Sequence, residues 1–134
     1  MAKSNMNAVE SGRAAHAYEA VKRGMPEEEK YAESAKKLPM LIKVNGLVPA
    51  LLFAKEKKQF GKDEASLEHS VLSWLNEDGC PVSQIVKPKV GKDIGKLTEL
   101  ESRQYRQVTA EVQRYLNWVK RFSAAQRAGK KEAK

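Results

Sequence analysis

Residues 102 to 126, SRQYRQVTAEVQRYLNWVKRFSAAQ, contain no Gly and no Pro, and their apolar side chains fall at Tyr105, Val108, Val112, Tyr115, Leu116, Val119 and Phe122. That alternation of three and four predicts an amphipathic helix with one face in a core. At about 100° per residue the seven side chains form a stripe roughly 120° wide. Arg103, Arg114 and Arg121 then point nearly opposite, with Gln107 and Asn117 beside them and Arg106 and Lys120 on one flank. Ser102 suits the N-cap position, and the late cations suit the negative end of the helix dipole.

Working outward, the rest of the chain reads as shorter helices. The first is expected from about Met6 to Arg23, with Val9, Ala14, Ala17, Tyr18 and Val21 inward, before Gly24 and Pro26 stop it. A second is expected from Pro26, with Glu27, Glu28 and Glu29 at its positive dipole end, to Asn45-Gly46, bending near Pro39. A third covers Leu47 to Lys58, Pro49 falling in its first turn; Leu51, Leu52 and Phe53 are expected buried and Lys55, Lys57 and Lys58 solvated. A fourth, from an Asp63 cap to Asn76, presents Leu67, Val71, Trp74 and Leu75.

Between Asp78 and Lys96 turn formers gather (Gly79, Pro81, Pro88, Gly91, Gly95), which predicts one long basic loop with an extended piece at Val82 to Val86 and a helical turn at Lys96 to Leu100. The fold expected is therefore all-α: a single compact bundle of about five main helices over residues 1–126, ending in a long helix, with 127–134 a frayed basic tail.

Composition narrows the function classes. The 134 residues are 41% hydrophobic and 31% charged, as expected of one globular domain. No apolar run approaches the ~20 residues needed to cross a bilayer, and the N-terminal stretch lacks a signal core, so a cytoplasmic protein with no membrane partner is expected. The single Cys80 permits no intramolecular disulfide. Residues 1–83 carry 12 Lys+Arg against 12 Asp+Glu and residues 84–134 carry 13 against 5, so the whole net charge of +8 lies in the C-terminal part. A polyanionic partner fits that asymmetry.

Catalytic and metal chemistries find little support. His16 and His69 stand alone on separate helices, and Cys80 has no nearby histidine, so no metal, cofactor, small-molecule substrate or catalytic set is predicted. Gly91 to Thr98, GKDIGKLT, is one residue too short between its glycines for a phosphate-binding P-loop and has Leu97 where Ser or Thr should bind magnesium. Trp74 is expected in the core. Trp118, at the edge of the arginine face, is expected to pack on a helix or partner subunit, with stacking on a base the alternative.

Two motifs carry a resemblance. Leu38-Pro39-Met40-Leu41-Ile42-Lys43-Val44-Asn45-Gly46-Leu47, with Phe53 in the following helix, is similar to the LPxLIxxNGL segment of the small subunit of the Cmr complex, the type III-B CRISPR effector. Tyr105-Arg106, Thr109 and Glu111, followed by Leu116, Trp118 and Lys120-Arg121-Phe122, resemble the YRxxTxE and LxWxKRF patterns that end that family. The first helix, with Arg13, Tyr18 and Val21, extends the match; Pro49 stands where the family often has glutamine.

The resemblance implies a non-enzymatic helical subunit. Copies of it stack head to tail beside the backbone subunits, also meet a large subunit, and line the groove that receives target RNA opposite the guide. It implies phosphate contacts at Arg106, Lys120 and Arg121, and at Lys37 beside the LP motif. The basic helix face adds Arg103 and Arg114, cations that attract phosphate without reading sequence. Discrimination in such a complex comes from base pairing with the guide. Two other readings stay open. One is a protein-interaction module whose basic face meets acidic partner surfaces; the other is a helical DNA-binding protein, against which stands the lack of a tight turn before a short recognition helix.

Overall fold

A computed structural model of the chain describes residues 7–24, 31–57 and 66–132. Six α-helices follow in order: α1 (Ala8–Gly24), α2 (Tyr31–Asn45), α3 (Leu47–Lys57), α4 (Leu67–Leu75), α5 (Ser83–Lys89) and α6 (Ser102–Glu132), with a 3-10 helix (Ile94–Glu99) before the last. Among the described residues there is no strand, and the fold is an all-α bundle. Met6, Pro26, the acidic run Glu27–Glu29, Lys58 and Asp63, on which parts of the sequence reading fall, lie outside the described residues.

The 31-residue α6 is the axis, packing against α1, α2 and α4. Its stripe is buried as the spacing demands: Val108, Val112, Tyr115, Leu116 and Val119 are fully inaccessible, and Tyr105 and Phe122 pack partly buried at either end. Burying one such aliphatic side chain is worth about 1.5–3 kcal/mol, which is why this stripe organises the bundle. Ser102 is the first helical residue rather than the residue before it, and the first backbone bond runs from Tyr105 N to Glu101 O at 2.8 Å. The helix continues past Gln126 as far as Glu132.

Pro39 sits inside α2, which runs on through it. The missing N–H frees the Ala35 carbonyl, and Gln113 of α6 donates its Nε2 to the Pro39 carbonyl at 3.0 Å, tying the two helices. Asn45-Gly46 does end α2: Gly46 takes φ 94°, a left-handed conformation that a side chain would strain, and its N–H closes on Ile42 O at 2.8 Å. Pro49 lies in the first turn of α3. There the Tyr105 hydroxyl, reaching across from α6, accepts from the Val48 N–H at 3.0 Å and so satisfies one of the unpaired donors at a helix start. Tyr105→Phe keeps the ring but orphans that donor; a loss of about 1–2 kcal/mol in urea unfolding is expected.

Several expectations need correction. In α3 only Leu51 of the Leu51-Leu52-Phe53 run is buried; Leu52 and Phe53 are exposed, and Leu47, Val48, Ala50 and Ala54 fill the inner face. Successive residues turn by about 100°, so three in a row cannot share a face. In α1, Val9 and Tyr18 are likewise exposed, and small Ala14, Ala17 and Ala20 with Val21 make the contact. The cap of α4 is Ser66, whose side chain accepts from His69 N.

The largest correction concerns residues 78–100. No loose loop or extended piece is present: Val82–Val86 leads into and forms most of α5, Ile94–Glu99 is helical, and Cys80, Val82, Val86, Val90, Ile94, Leu97 and Leu100 are buried. A Lys87–Asp78 ion pair spans its start, and hydrogen bonding from the ammonium holds the Asp78 carboxyl below its ordinary value.

Candidate nucleic-acid interface

The polar face of α6 follows from the same periodicity that buries its stripe. Arg103, Arg106, Arg114, Lys120 and Arg121 are all exposed. From Arg103 to Arg121 the helix rises about 27 Å at ~1.5 Å per residue, so the five cations make a line rather than a cluster. Arg103, Arg106, Lys120 and Arg121 have no carboxylate within ion-pair distance among the described residues. Their charge is offered to solvent.

Arg114 differs. Its Nη1 lies 3.8 Å from Glu111 Oε1, one turn back, while the side chain stays 60% exposed. It is a tethered cation. Lys37 is exposed too, but on α2, and no contact among the described residues joins it to the α6 line.

Beneath that face lies a polar layer the sequence did not announce. Glu111, 1% exposed, accepts from Arg13 Nε at 2.7 Å and Nη2 at 2.8 Å and from Trp74 Nε1 at 2.8 Å. This bidentate pair joins α1 to α6 and brings in α4 through the indole. Next to it, His16 Nδ1 meets the Tyr115 hydroxyl at 2.8 Å and its Nε2 meets Ser73 Oγ at 3.2 Å. Burial pulls the imidazole below the usual histidine range, and the neutral ring can donate from one nitrogen and accept at the other. His16 is thus a link between helices, and Trp74 stacks on Tyr115 with centroids 6.1 Å apart and planes 7° from parallel. The signal for this layer was present as single polar letters at inward positions, Arg13 and Glu111, with nothing in either neighbourhood to say they meet.

Other singled-out residues resolve similarly. Cys80 is buried and its thiol is pushed up to about 11 by desolvation, the opposite of an activated nucleophile. Gly91 to Thr98 is a turn and a 3-10 helix in which Asp93 Oδ1 accepts from Gly95 N at 3.0 Å, with no strand before it to build a phosphate loop. Trp118 is half-buried and stacks on Phe122 at 5.7 Å, and Phe122 meets the Tyr18 edge at 5.4 Å, so that aromatic surface belongs to the α1–α6 seam. The refolding of the supposed loop also moves cations. Lys89 Nζ lies 3.5 Å from Gln104 Oε1, placing the end of α5 beside the first turn of α6; Lys92 and Lys96, further along the segment, are exposed as Lys89 is.

No helix among the described residues is long and apolar enough to cross a membrane, and none of their His, Cys, Asp and Glu side chains gather in threes as a metal site would require. Comparison with curated proteins returned no match. The family model described as CRISPR-associated protein (Cas_Cmr5) matches residues 9–126, from the first described helix through the end of the basic line. An all-helical bundle, the two motifs placed on the α2–α3 turn and on α6, and a match over nearly the whole chain lead to one conclusion: the chain belongs to the Cas_Cmr5 family, the CRISPR-associated small subunits of the Cmr (type III-B) complex.

Proposed function

We propose that this chain is a non-catalytic, groove-lining subunit of an RNA-guided complex in the cytoplasm, stacking with further copies of itself and with backbone and large subunits. On this reading Arg103, Arg106, Arg114, Lys120 and Arg121 contact phosphates of the guide or target RNA, and Lys37 adds a contact from α2. The observation that carries the reading is the line of exposed α6 cations, four of them without an anionic partner among the described residues. A protein that accepts any target sequence needs such contacts, because they bind charge and leave discrimination to base pairing.

The scaffold reading, in which the chain contacts only protein, has its own support elsewhere on the surface. Met40 and Val44 are 63% and 73% exposed one turn apart on α2, an apolar pair suited to a neighbouring subunit. Anisotropy titration of a labelled single-stranded RNA at two salt concentrations separates the two. Each phosphate contact contributes about −0.7 to the slope of log affinity against log salt, so the six contacts give about −4.2. Arg103→Glu with Arg121→Glu is the informative variant, because neither arginine is tied to Glu111 and the fold is left intact. It should bind at least about ten-fold more weakly at low salt and flatten the slope by about 1.4. Unchanged RNA affinity combined with lost assembly would assign the face to protein contacts.

A further inference from the structure

Between the start of α3, the 3-10 helix and the first turn of α6 lies an open groove of about 520 Å³, lined by Val48, Pro49, Thr98, Leu100, Ser102, Tyr105 and Arg106. We propose that this groove receives a single nucleotide of a bound RNA strand, the base within and its phosphate against Arg106; the proposal rests on the phosphate-contact reading of α6 above.

The volume falls in the ~300–1,000 Å³ range of small-ligand sites, and the lining has their character: apolar walls with a few convergent polar groups. Val48 and Leu100 form nearly buried walls. Tyr105 is held rigid, since its hydroxyl is engaged by the Val48 N–H at 3.0 Å, and a fixed aromatic ring is the surface on which unpaired bases stack. The Thr98 hydroxyl donates to Gly95 O at 2.7 Å and keeps its lone pairs free to accept from a base N–H. Ser102 can donate or accept, so the polar set tolerates any base, as a sequence-neutral subunit requires.

Charge selects among occupants. Among the described residues Arg106 is the only ionised side chain in the lining; Glu99 and Glu101 neighbour lining residues in sequence but do not themselves line the groove. An apolar protein side chain would satisfy the walls and leave the cation idle, whereas a nucleotide uses both. Arg106 also belongs to the exposed line of α6 cations, so a backbone following Arg121 towards Arg103 passes the mouth of the groove. Continuity with that line is what turns a groove into a nucleotide site.

Methyl NMR of the full chain provides the test. Adenosine 5′-monophosphate should shift the Val48 and Leu100 methyls, ribose 5-phosphate should not, and the Val112 and Leu116 methyls should stay still as witnesses of the fold. Thr98→Trp, which fills the groove from an exposed position, should abolish the response; Arg106→Gln should weaken the nucleotide response and leave that to adenosine unchanged. In anisotropy, removing the bases from an RNA should cost the wild type about ten-fold in affinity and Thr98→Trp almost nothing. Still methyls with intact, salt-dependent RNA binding overturn the groove and spare the phosphate line. Methyl shifts without salt-dependent RNA binding overturn the phosphate line and, with it, an RNA strand as the source of the nucleotide. Shifts that grow with protein concentration alone assign the groove to a second copy and overturn the proposal.

Discussion

Glu111→Ala is expected to lower the free energy of unfolding by about 3–5 kcal/mol, the usual consequence of breaking a buried ion pair from one side. The carboxylate is 1% exposed and engages the Arg13 guanidinium with both oxygens, while one of them also receives the Trp74 indole N–H. Truncation leaves Arg13, itself only 7% exposed, without its ion-pair partner, and an indole donor with no acceptor. Urea unfolding of the variant measures the loss directly. The cost belongs to the uncompensated charge rather than to any net worth of the pair, which predicts a second result. Arg13→Met combined with Glu111→Leu should be less destabilised than Glu111→Ala, keeping mainly the about 1–3 kcal/mol cost of the Trp74 indole N–H left without an acceptor. A small loss for Glu111→Ala, under about 1 kcal/mol, would show that water or a rearranged Arg13 replaces the carboxylate and that this contact does not hold α1 to α6.

The pair has a consequence for the surface as well. A stripe of Val and Leu fixes which face of α6 is buried only to within the slack of packing, because dispersion and burial are not directional. Two short charge-assisted hydrogen bonds to Arg13, 98 residues away, are directional and set the rotation of α6 against α1. Arg103 and Arg121 are exposed about 80° round the helix from Glu111 and nearly opposite the apolar stripe, so the layer that holds α6 in register also aims its cations outward. Arg114 is the exception that follows from the same geometry: one turn beyond Glu111, it leans back towards the carboxylate.

The long helix was legible because all its information is local. Each of Val108, Val112, Tyr115, Leu116 and Val119 repeats the same spacing, and the cations opposite them could not be buried together. The Arg13–Glu111 pair was not legible, since periodicity describes one element and says nothing about which polar residue of another element it will meet. Residues 78–100 failed for a different reason. Val82, Val86, Val90, Ile94 and Leu97 are spaced by four, four, four and three, a helical rhythm, and all five are buried. Gly79, Pro81, Pro88, Gly91 and Gly95 hid it. Those residues punctuate short helices here, with Pro88 inside a seven-residue α5 and Gly91 taking φ 58° after it. The inner face of α1 is largely alanine and that of α3 includes Ala50 and Ala54, a weak hydrophobic signal, and the larger Tyr18, Leu52 and Phe53 drew the reading to the outside. The site inherited both outcomes: its α6 cations were readable as a line, but the groove beside Arg106 depends on Thr98 and Leu100, which only a folded segment brings to α6.

Gly24→Ala, the smallest substitution possible, is expected to cost about 2–3 kcal/mol, at the upper end of what overpacking a core usually costs. A Cβ added at Gly24 would stand 2.3 Å from Tyr31 Cε2 and under 3 Å from two further ring atoms. Neither side can yield. Gly24 is the last residue of α1, itself buried, and Tyr31 opens α2 with its ring fully enclosed, so relief requires the two helices to separate. The helical backbone there has no need of glycine's freedom; the need is steric, and alanine's better helix propensity, worth about 1 kcal/mol, works against the expected sign and makes the test sharper. Tyr31→Phe will not rescue the variant, because the clash is with the ring. On its own that change should be neutral or stabilising, since the Tyr31 hydroxyl is buried without a hydrogen-bond partner among the described residues. Tyr31→Leu removes the ring and should erase most of the penalty of the added methyl, giving a coupling energy of about 1–2 kcal/mol in a double-mutant cycle followed by urea unfolding. Additive losses would instead show that the ring moves aside and that the approach of α1 to α2 is not set at Gly24.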